Sequence, residues 1–207
     1  MNILLHPTYF PSVAHFVVIL RAEKIIFEVE DNFQRQTNRN RTYIYGSNGK
    51  QLLNIPIKHS QSTHQKYKDV RIDYSENWQK RHYKSLETAY RSSPFFEYFE
   101  DDLLPLFECK PKFLLDYNFE LFEILQTCMN CTLVFEKTIE YGKSHEGIED
   151  FRYLVDGKKI VHYFEPYTQV FAEKHGFIND LSILDVLFNQ GKHTLAYLKR
   201  QNIEDKQ

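Results

Sequence analysis

The chain has 207 residues, 42% hydrophobic and 26% charged, with 17 Phe, 14 Tyr and one Trp, which excludes global disorder; a chain this long buries roughly 70% of its unfolded surface without a disulfide or a metal. Gly and Pro number seven each, too few for a collagen-like or low-complexity architecture. The formal net charge of −2 argues against a dedicated nucleic-acid binder, which needs a basic surface to neutralise phosphates, but not against a small anion held by a local arginine group.

Asn2–Leu5 reads as a short buried strand. Pro7 and Pro11 push the residues before them to extended conformations, so His6–Pro11 is a turn. Ser12 then stands as an N-cap, with Val13, Phe16, Val17 and Leu20 at helical spacing. Lys24–Glu30 alternates into a β-branched run and reads as a strand. Strand, helix and strand in this order predict a βαβ unit with a parallel pair.

Asp31–Arg41 is polar at every position except Phe33. If Asn38–Thr42 is extended, Arg39 and Arg41 project from one face and Asn38 and Asn40 from the other. Two guanidinium forks on one side suit a phosphate or carboxylate, and the amides can orient sugar hydroxyls or amide groups. The competing reading is a solvated edge strand and loop.

Arg41–Tyr45 and Gln51–Ile57 flank Gly46-Ser47-Asn48-Gly49, a hairpin signal. Residues 58–70, with His59 and His64, read as a surface loop. From Glu76 the period becomes helical, with Trp78, His82, Leu86 and Tyr90 at i+4 steps. A core stripe accounts for the Trp, Leu and Tyr. A buried imidazole needs partners and is the natural proton carrier near neutrality, so His82 is the candidate base. Residues 94–107 mix aromatics with Glu97, Glu100, Asp101 and Asp102, a solvated acidic face. Phe119–Leu125 marks another helix and Leu133–Phe135 a strand. Asp156-Gly157 between Phe151–Val155 and Lys159–Phe164 signals a second hairpin. Ser182-Ile183-Leu184-Asp185 matches a capping box, which gives Asp185 a cap role, and Gly191 is a C-cap. The tail from about residue 198 frays. No repeat, linker or boundary breaks the chain, so 1–207 reads as one domain. The fold class is α/β, with a central mixed or parallel sheet opened by a βαβ unit and a helix-rich C-terminal half.

Several chemistries lack support. The odd count of Cys109, Cys128 and Cys131 fits reduced thiols, and Cys128–Cys131 is one CxxC without the second pair a structural zinc wants. No metal site is expected, and no cofactor follows from the residues. Gly142-Lys143-Ser144 has Lys137 where a P-loop needs glycine. Neither GxGxxG nor GxSxG occurs. His6 and His15 flank the proline turn and read as surface or satisfied histidines. No segment approaches the ~20 apolar residues of a membrane span, and Met1–Leu5 lacks a basic leader. A soluble, cytoplasmic chain without membrane insertion is expected, and its oligomeric state is not legible.

Read in order, the Pro7–Pro11 turn, Asp31–Gln36, Asn38–Arg41, Gly49 with Ile55-Pro56-Ile57, Trp78 with His82, Ala89-Tyr90, Ser93–Tyr98 and Leu181–Gly191 form a set. This set resembles the WbqC-like family of bacterial proteins over nearly the whole chain. Residues 132–165 match least and look like a shortened version of what longer members carry. Phe33 stands where an aromatic is usual, and Asn38 where another is expected. The resemblance implies a bacterial cytoplasmic protein, some relatives being associated with O-antigen and other surface-polysaccharide biosynthesis. It also implies a transferase that attaches an acyl or aminoacyl group to a nucleotide-linked amino sugar.

On that reading the ligand is a small anion or sugar nucleotide. Arg39 and Arg41 hold its phosphate or carboxylate, and Asn32, Gln36 and Asn40 orient the sugar or acyl group. Trp78 walls the sugar ring, His82 takes the proton of the attacking amine, and Tyr9 and Tyr90 complete the substrate-binding set. One alternative is a non-catalytic binding or assembly protein of the same pathway. Another is a nucleotidyl-group enzyme, since the opening resembles nucleotidylyltransferases in outline. With Pro11 aligned to their motif, however, Val13 and Phe16 stand where their histidine pair belongs.

Overall fold

The computed structural model describes residues 1–60, 64–156 and 162–203. Strand β1 (Asn2–Leu5) leads through helix α1 (Val13–Ile19) to β2 (Lys24–Phe27). The two strands pair in parallel, from Asn2 opposite Lys24 to Leu5 opposite Phe27. Ile3, Leu4 and Leu5 are all buried, as a strand covered on both faces requires. The expected βαβ opening is therefore present, although β2 ends at Phe27 rather than Glu30.

Helix α1 is buried along its whole length. Ser12 occupies the N-cap position, but its side chain makes no cap bond. The Asp180 carboxylate, 166 residues on, accepts instead from the Ala14 N–H at 2.9 Å.

The chain turns through Asn38–Asn40 before β3 (Arg41–Gly46) begins. The expected extended run over Asn38–Thr42 does not form, so Arg39 and Arg41 do not share the face of one strand. Strand β3 pairs antiparallel with β4 (Gly49–Asn54), and Gly49 takes φ +96°, a conformation open to glycine. Strand β4 stops at Asn54, short of Ile57.

Helices α2 (Trp78–Tyr90), α3 (Phe96–Glu108) and α4 (Leu114–Cys128) pack in succession. Trp78, His82, Leu86 and Tyr90 are all buried, so their stripe faces the core. Glu97, Asp101 and Asp102 are exposed on α3. Strands β5 (Phe135–Lys137) and β6 (Glu149–Asp150) complete an all-parallel sheet in the order β5-β2-β1-β6. Arg152–Val155 is a 3-10 turn rather than the first strand of a second hairpin. Residues 157–161, where that hairpin's turn would fall, lie outside the described residues.

Helices α5 (Ala172–His175), α6 (Ile183–Gln190) and α7 (Thr194–Arg200) follow, α6 and α7 packing on α1. Leu198 and Gln201 are buried, and residues 204–207 lie outside the described residues. The fold is thus α/β, with a parallel sheet and a helix-rich C-terminal half sharing one core. Among the described residues, no helix is long and apolar enough to cross a membrane.

The strand order has a functional consequence. The chain moves from β1 to β2 to β5 on one side, then returns to the far side of β1 as β6. Reversals of this kind open a crevice at the carboxyl ends of the strands, where α/β sheets bind ligands.

Candidate functional site

A polar residue stands just beyond the carboxyl end of each strand. His6 follows β1, Glu28 follows β2, Thr138 follows β5 and Arg152 lies two residues beyond β6. A cleft of about 310 Å³ opens here, lined by His6, Asp31, Gln34, Arg39, Tyr141 and Arg152 together with the turn Tyr153–Asp156.

Three of these side chains form a tight group. His6 Nε2 lies 3.0 Å from Asp31 Oδ2 and 2.7 Å from Arg39 Nη2, and Arg39 Nη2 also donates to Asp31 Oδ2 at 3.1 Å. Burial, opposed by the Asp31 bond and aided by the Arg39 charge, pushes His6 down to about 4. The imidazole is therefore neutral at pH 7. Burial raises Asp31, but its bond to His6 and the nearby Arg39 outweigh it and hold the carboxyl below its usual range.

Arg39 is 1% exposed. Its Nη1 donates to Thr37 Oγ1, its guanidinium lies 5.6 Å from the Tyr67 ring centroid, and its carbonyl accepts from Asn118 Nδ2. Its Nε has no partner among the described residues. Arg152 is fully engaged: it grips Asp150, approaches buried Glu28, and donates to the Gly142 and Lys143 carbonyls. One guanidinium thus ties the loop after β5 to the end of β6. Among the described residues, no group of three or more His, Cys, Asp or Glu is placed to hold a metal ion.

The other side of the Asp31–Arg41 segment faces a second hollow of about 330 Å³. Arg35, Arg41 and Lys58 line it without any carboxylate residue. Asn40 donates through Nδ2 to the Ile55 carbonyl at 2.8 Å and to Asn54 Oδ1 at 3.2 Å, which leaves its own Oδ1 unpartnered among the described residues. Arg41 Nε donates to Asn54 Oδ1 at 3.0 Å.

The sequence candidates thus distribute over four places. Arg39 lines the cleft, whereas Gln36, Asn40 and Arg41 line the second hollow. Tyr9, Trp78, His82 and Tyr90 are buried in the core and line neither. His82 Nδ1 sits 2.9 Å from Tyr9 Oη, and the Asn54 backbone accepts from the ring. Burial, aided by Arg81, pushes His82 down to about 4. The Trp78 ring meets His82 edge-on at 5.1 Å. Tyr90 donates to Asp185 and accepts from the Tyr45 N–H. Asn32 is exposed.

Tyr67 and Arg152 are residues that sequence reasoning did not single out, Asp31 was read only as part of the polar segment, and His6, read as a surface or satisfied histidine, is buried and lines the cleft. His6 carried a signal of a kind, a polar residue directly after a buried strand and before a proline. Only the strand order shows that this position faces a crevice.

A family model described as WbqC-like protein family matches residues 6–162, about three quarters of the chain. A Mycobacterium tuberculosis relative, "Uncharacterized protein Rv1507c", is 27% identical over 104 residues, which cover 50% of this chain and 45% of the relative. The match therefore spans less than half of that relative's length. No solved structure matches.

Proposed function

The chain belongs to the WbqC-like protein family, and from that premise we propose that it transfers an acyl or aminoacyl group to a nucleotide-linked amino sugar in bacterial surface-polysaccharide biosynthesis. The observation that carries the reading is the His6 imidazole held between the Arg39 guanidinium and the Asp31 carboxylate at the sheet's switch point. A neutral imidazole can accept a proton at pH 7, whereas an imidazolium cannot.

In this reading the sugar nucleotide reaches around the Asp31–Arg41 segment, its diphosphate in the basic hollow with Arg35, Arg41 and Lys58 supplying positive charge and its amine in the His6 cleft. Asn40 lines the same hollow beside Arg41. The sugar amine attacks the carbonyl of an activated ester or thioester. The C–N bond forms, the donor's leaving group departs with its electron pair, and the amine's proton goes to His6 Nε2. Arg39 turns from His6 to the developing oxyanion, which frees the nitrogen for that proton. Tyr9, His82 and Trp78 act from behind, packing the Pro7–Pro11 turn that follows His6.

The second reading is a binding protein without turnover. It is favoured by His6 Nε2 being already engaged by both Arg39 and Asp31. A thermal-shift screen of nucleoside-diphosphate amino sugars, followed by turnover assays with acyl thioesters and aminoacyl esters, separates the two. A bound sugar nucleotide at 100 times Kd should stabilise by about 2.7 kcal/mol. Arg41→Ala should abolish the shift. His6→Gln should keep it and lose roughly 10²–10⁴-fold in turnover. A shift with no turnover from any donor favours the binding protein. No shift from any sugar nucleotide overturns both readings.

A further inference from the structure

The opposite edge of the His6 ring points inward. There a small internal void, about 10 Å³ for the centre of a water molecule, is bounded by residues that are all buried, among them Leu5, His6, Thr8, His15, Asn118 and Phe122. Four polar atoms on this lining have no hydrogen-bond partner among the described residues: His6 Nδ1, Thr8 Oγ1, His15 Nε2 and Asn118 Oδ1. Unsatisfied buried polar atoms are rare in folded proteins, and four of them on one void call for a common partner.

We infer that one water molecule is bound in this void by His6, Thr8, His15 and Asn118, and that it joins the two histidines into a proton relay running inward from the cleft. The size fits one water, and four polar partners are what a buried water takes. A divalent cation fits poorly. Two imidazoles, a hydroxyl and an amide oxygen bring no negative charge, and Leu5, Phe27 and Phe122 offer none.

The hydrogen-bond accounting fixes how the relay works. Asn118 Nδ2 donates to the Arg39 carbonyl and to Tyr67 Oη, so its Oδ1 must accept from the water. Thr8 Oγ1 can donate to it. The water's remaining hydrogen goes to one imidazole, and its remaining lone pair takes the N–H of the other. With Thr8 donating, since its hydroxyl hydrogen has no other acceptor among the described residues, two arrangements satisfy every atom. In the first, both rings carry hydrogen on Nδ1. His6 Nε2 then accepts from Arg39 Nη2 at 2.7 Å, and His15 Nδ1 donates to Ser12 Oγ at 3.3 Å. In the second, both carry it on Nε2. His6 Nε2 then donates to Asp31 Oδ2 at 3.0 Å, and Ser12 Oγ donates to His15 Nδ1. This explains why one nitrogen of His6 lies within bonding distance of both a donor and an acceptor.

Switching between the arrangements moves a proton through the protein. A proton arriving at His6 Nε2 expels the one on Nδ1 to the water, which passes another to His15 Nε2. His15 releases its Nδ1 proton to Ser12, and the Ser12 hydroxyl proton passes on toward the Asp180 carboxylate, which accepts from the Ala14 N–H two residues along. One proton enters, one leaves, and both rings end neutral. The charged and titratable groups around the pair are Asp31, Arg39, Asp150 and Arg152 at His6, and His162 at His15. Use of the relay in transfer rests on the function proposed above. The water and the coupled tautomers do not.

The test therefore needs no substrate. A high-resolution crystal structure of the full chain should show one water-strength density peak within hydrogen-bonding distance of the four atoms and no anomalous signal. Nitrogen-15 NMR of the imidazoles should show His6 and His15 neutral with matching tautomers. Arg39→Met removes the donor to His6, so both rings should move to the Nε2–H form, although Arg39 does not touch His15. Should that variant fail to fold, Asp31→Leu should drive both rings to the Nδ1–H form. An empty void, a peak with anomalous signal, or a His15 ring unmoved when His6 changes overturns the proposal.

Discussion

Asp185 shows how one side chain can satisfy a local rule and serve a distant purpose. Three residues after Ser182, it fits the spacing of a capping box, and Ser182 does cap α6 by accepting from the Leu184 N–H at 3.3 Å. The Asp185 carboxylate, however, is fully buried and accepts from Tyr90 Oη at 2.9 Å, Gln169 Nε2 at 2.8 Å and Tyr167 Oη. Burial raises its carboxyl above the usual range, against the pull of those donors. Asp185→Ala would strand two hydroxyls and an amide, and should cost about 3–5 kcal/mol in urea unfolding. Asp185→Asn keeps an acceptor oxygen and should cost less; equal losses from the two variants would contradict the hub. Its partners lie 16 to 95 residues away, so no local pattern could reveal them. His82 was more legible, because an imidazole on a core stripe must find partners, and it finds Tyr9 and Asn54.

Among the elements, those with a hydrophobic period were readable and those without were not. Helix α2 announced itself by its i+4 stripe, and the β3–β4 hairpin by its Asn-Gly turn. Strand β6 is Glu149–Asp150, exposed and without an apolar period, so only its pairing with Ile3 and Leu4 defines it. Phe151–Val155 alternates like a strand, yet Arg152 folds back onto Asp150 and the backbone closes into a 3-10 turn. The end of α6 was legible and is demanding. Gly191 takes φ +53°, and a Cβ there would come within 2.6 Å of the Phe95 ring. Gly191→Ala therefore meets both backbone strain and a clash, and should destabilise by about 1–3 kcal/mol. Gly49→Ala, strained at φ +96° but with nothing within 4 Å, should cost less in the same denaturation measurement.

At the level of the whole molecule, the opening βαβ unit identified the fold class, but the site depends on the strand order. His6, Asp31, Arg39 and Arg152 meet because β6 returns to the far side of β1, which no spacing in the chain encodes. The same burial sets the protein's response to acid. Burial pushes His6 and His82 to about 4 and His15 to about 3. Their pKa values are lower folded than unfolded, so the unfolded chain binds protons first as pH falls. Their contribution is complete above about pH 6.5 and is lost as pH falls from there toward 4, on the order of 2 kcal/mol per histidine by pH 5. Glu120, Asp180 and Asp185, raised by burial, act in the opposite sense, so the net fall measures how far the three histidines outweigh them. Urea titrations from pH 7.5 to 5 should show falling stability, and a flat or rising profile would refute this balance. The four-stranded sheet has one more consequence, at its margins. Its borders are β5, three residues long, and β6, two residues long. Another polypeptide aligning there would find few backbone groups to bond, so brevity itself guards against fibril growth.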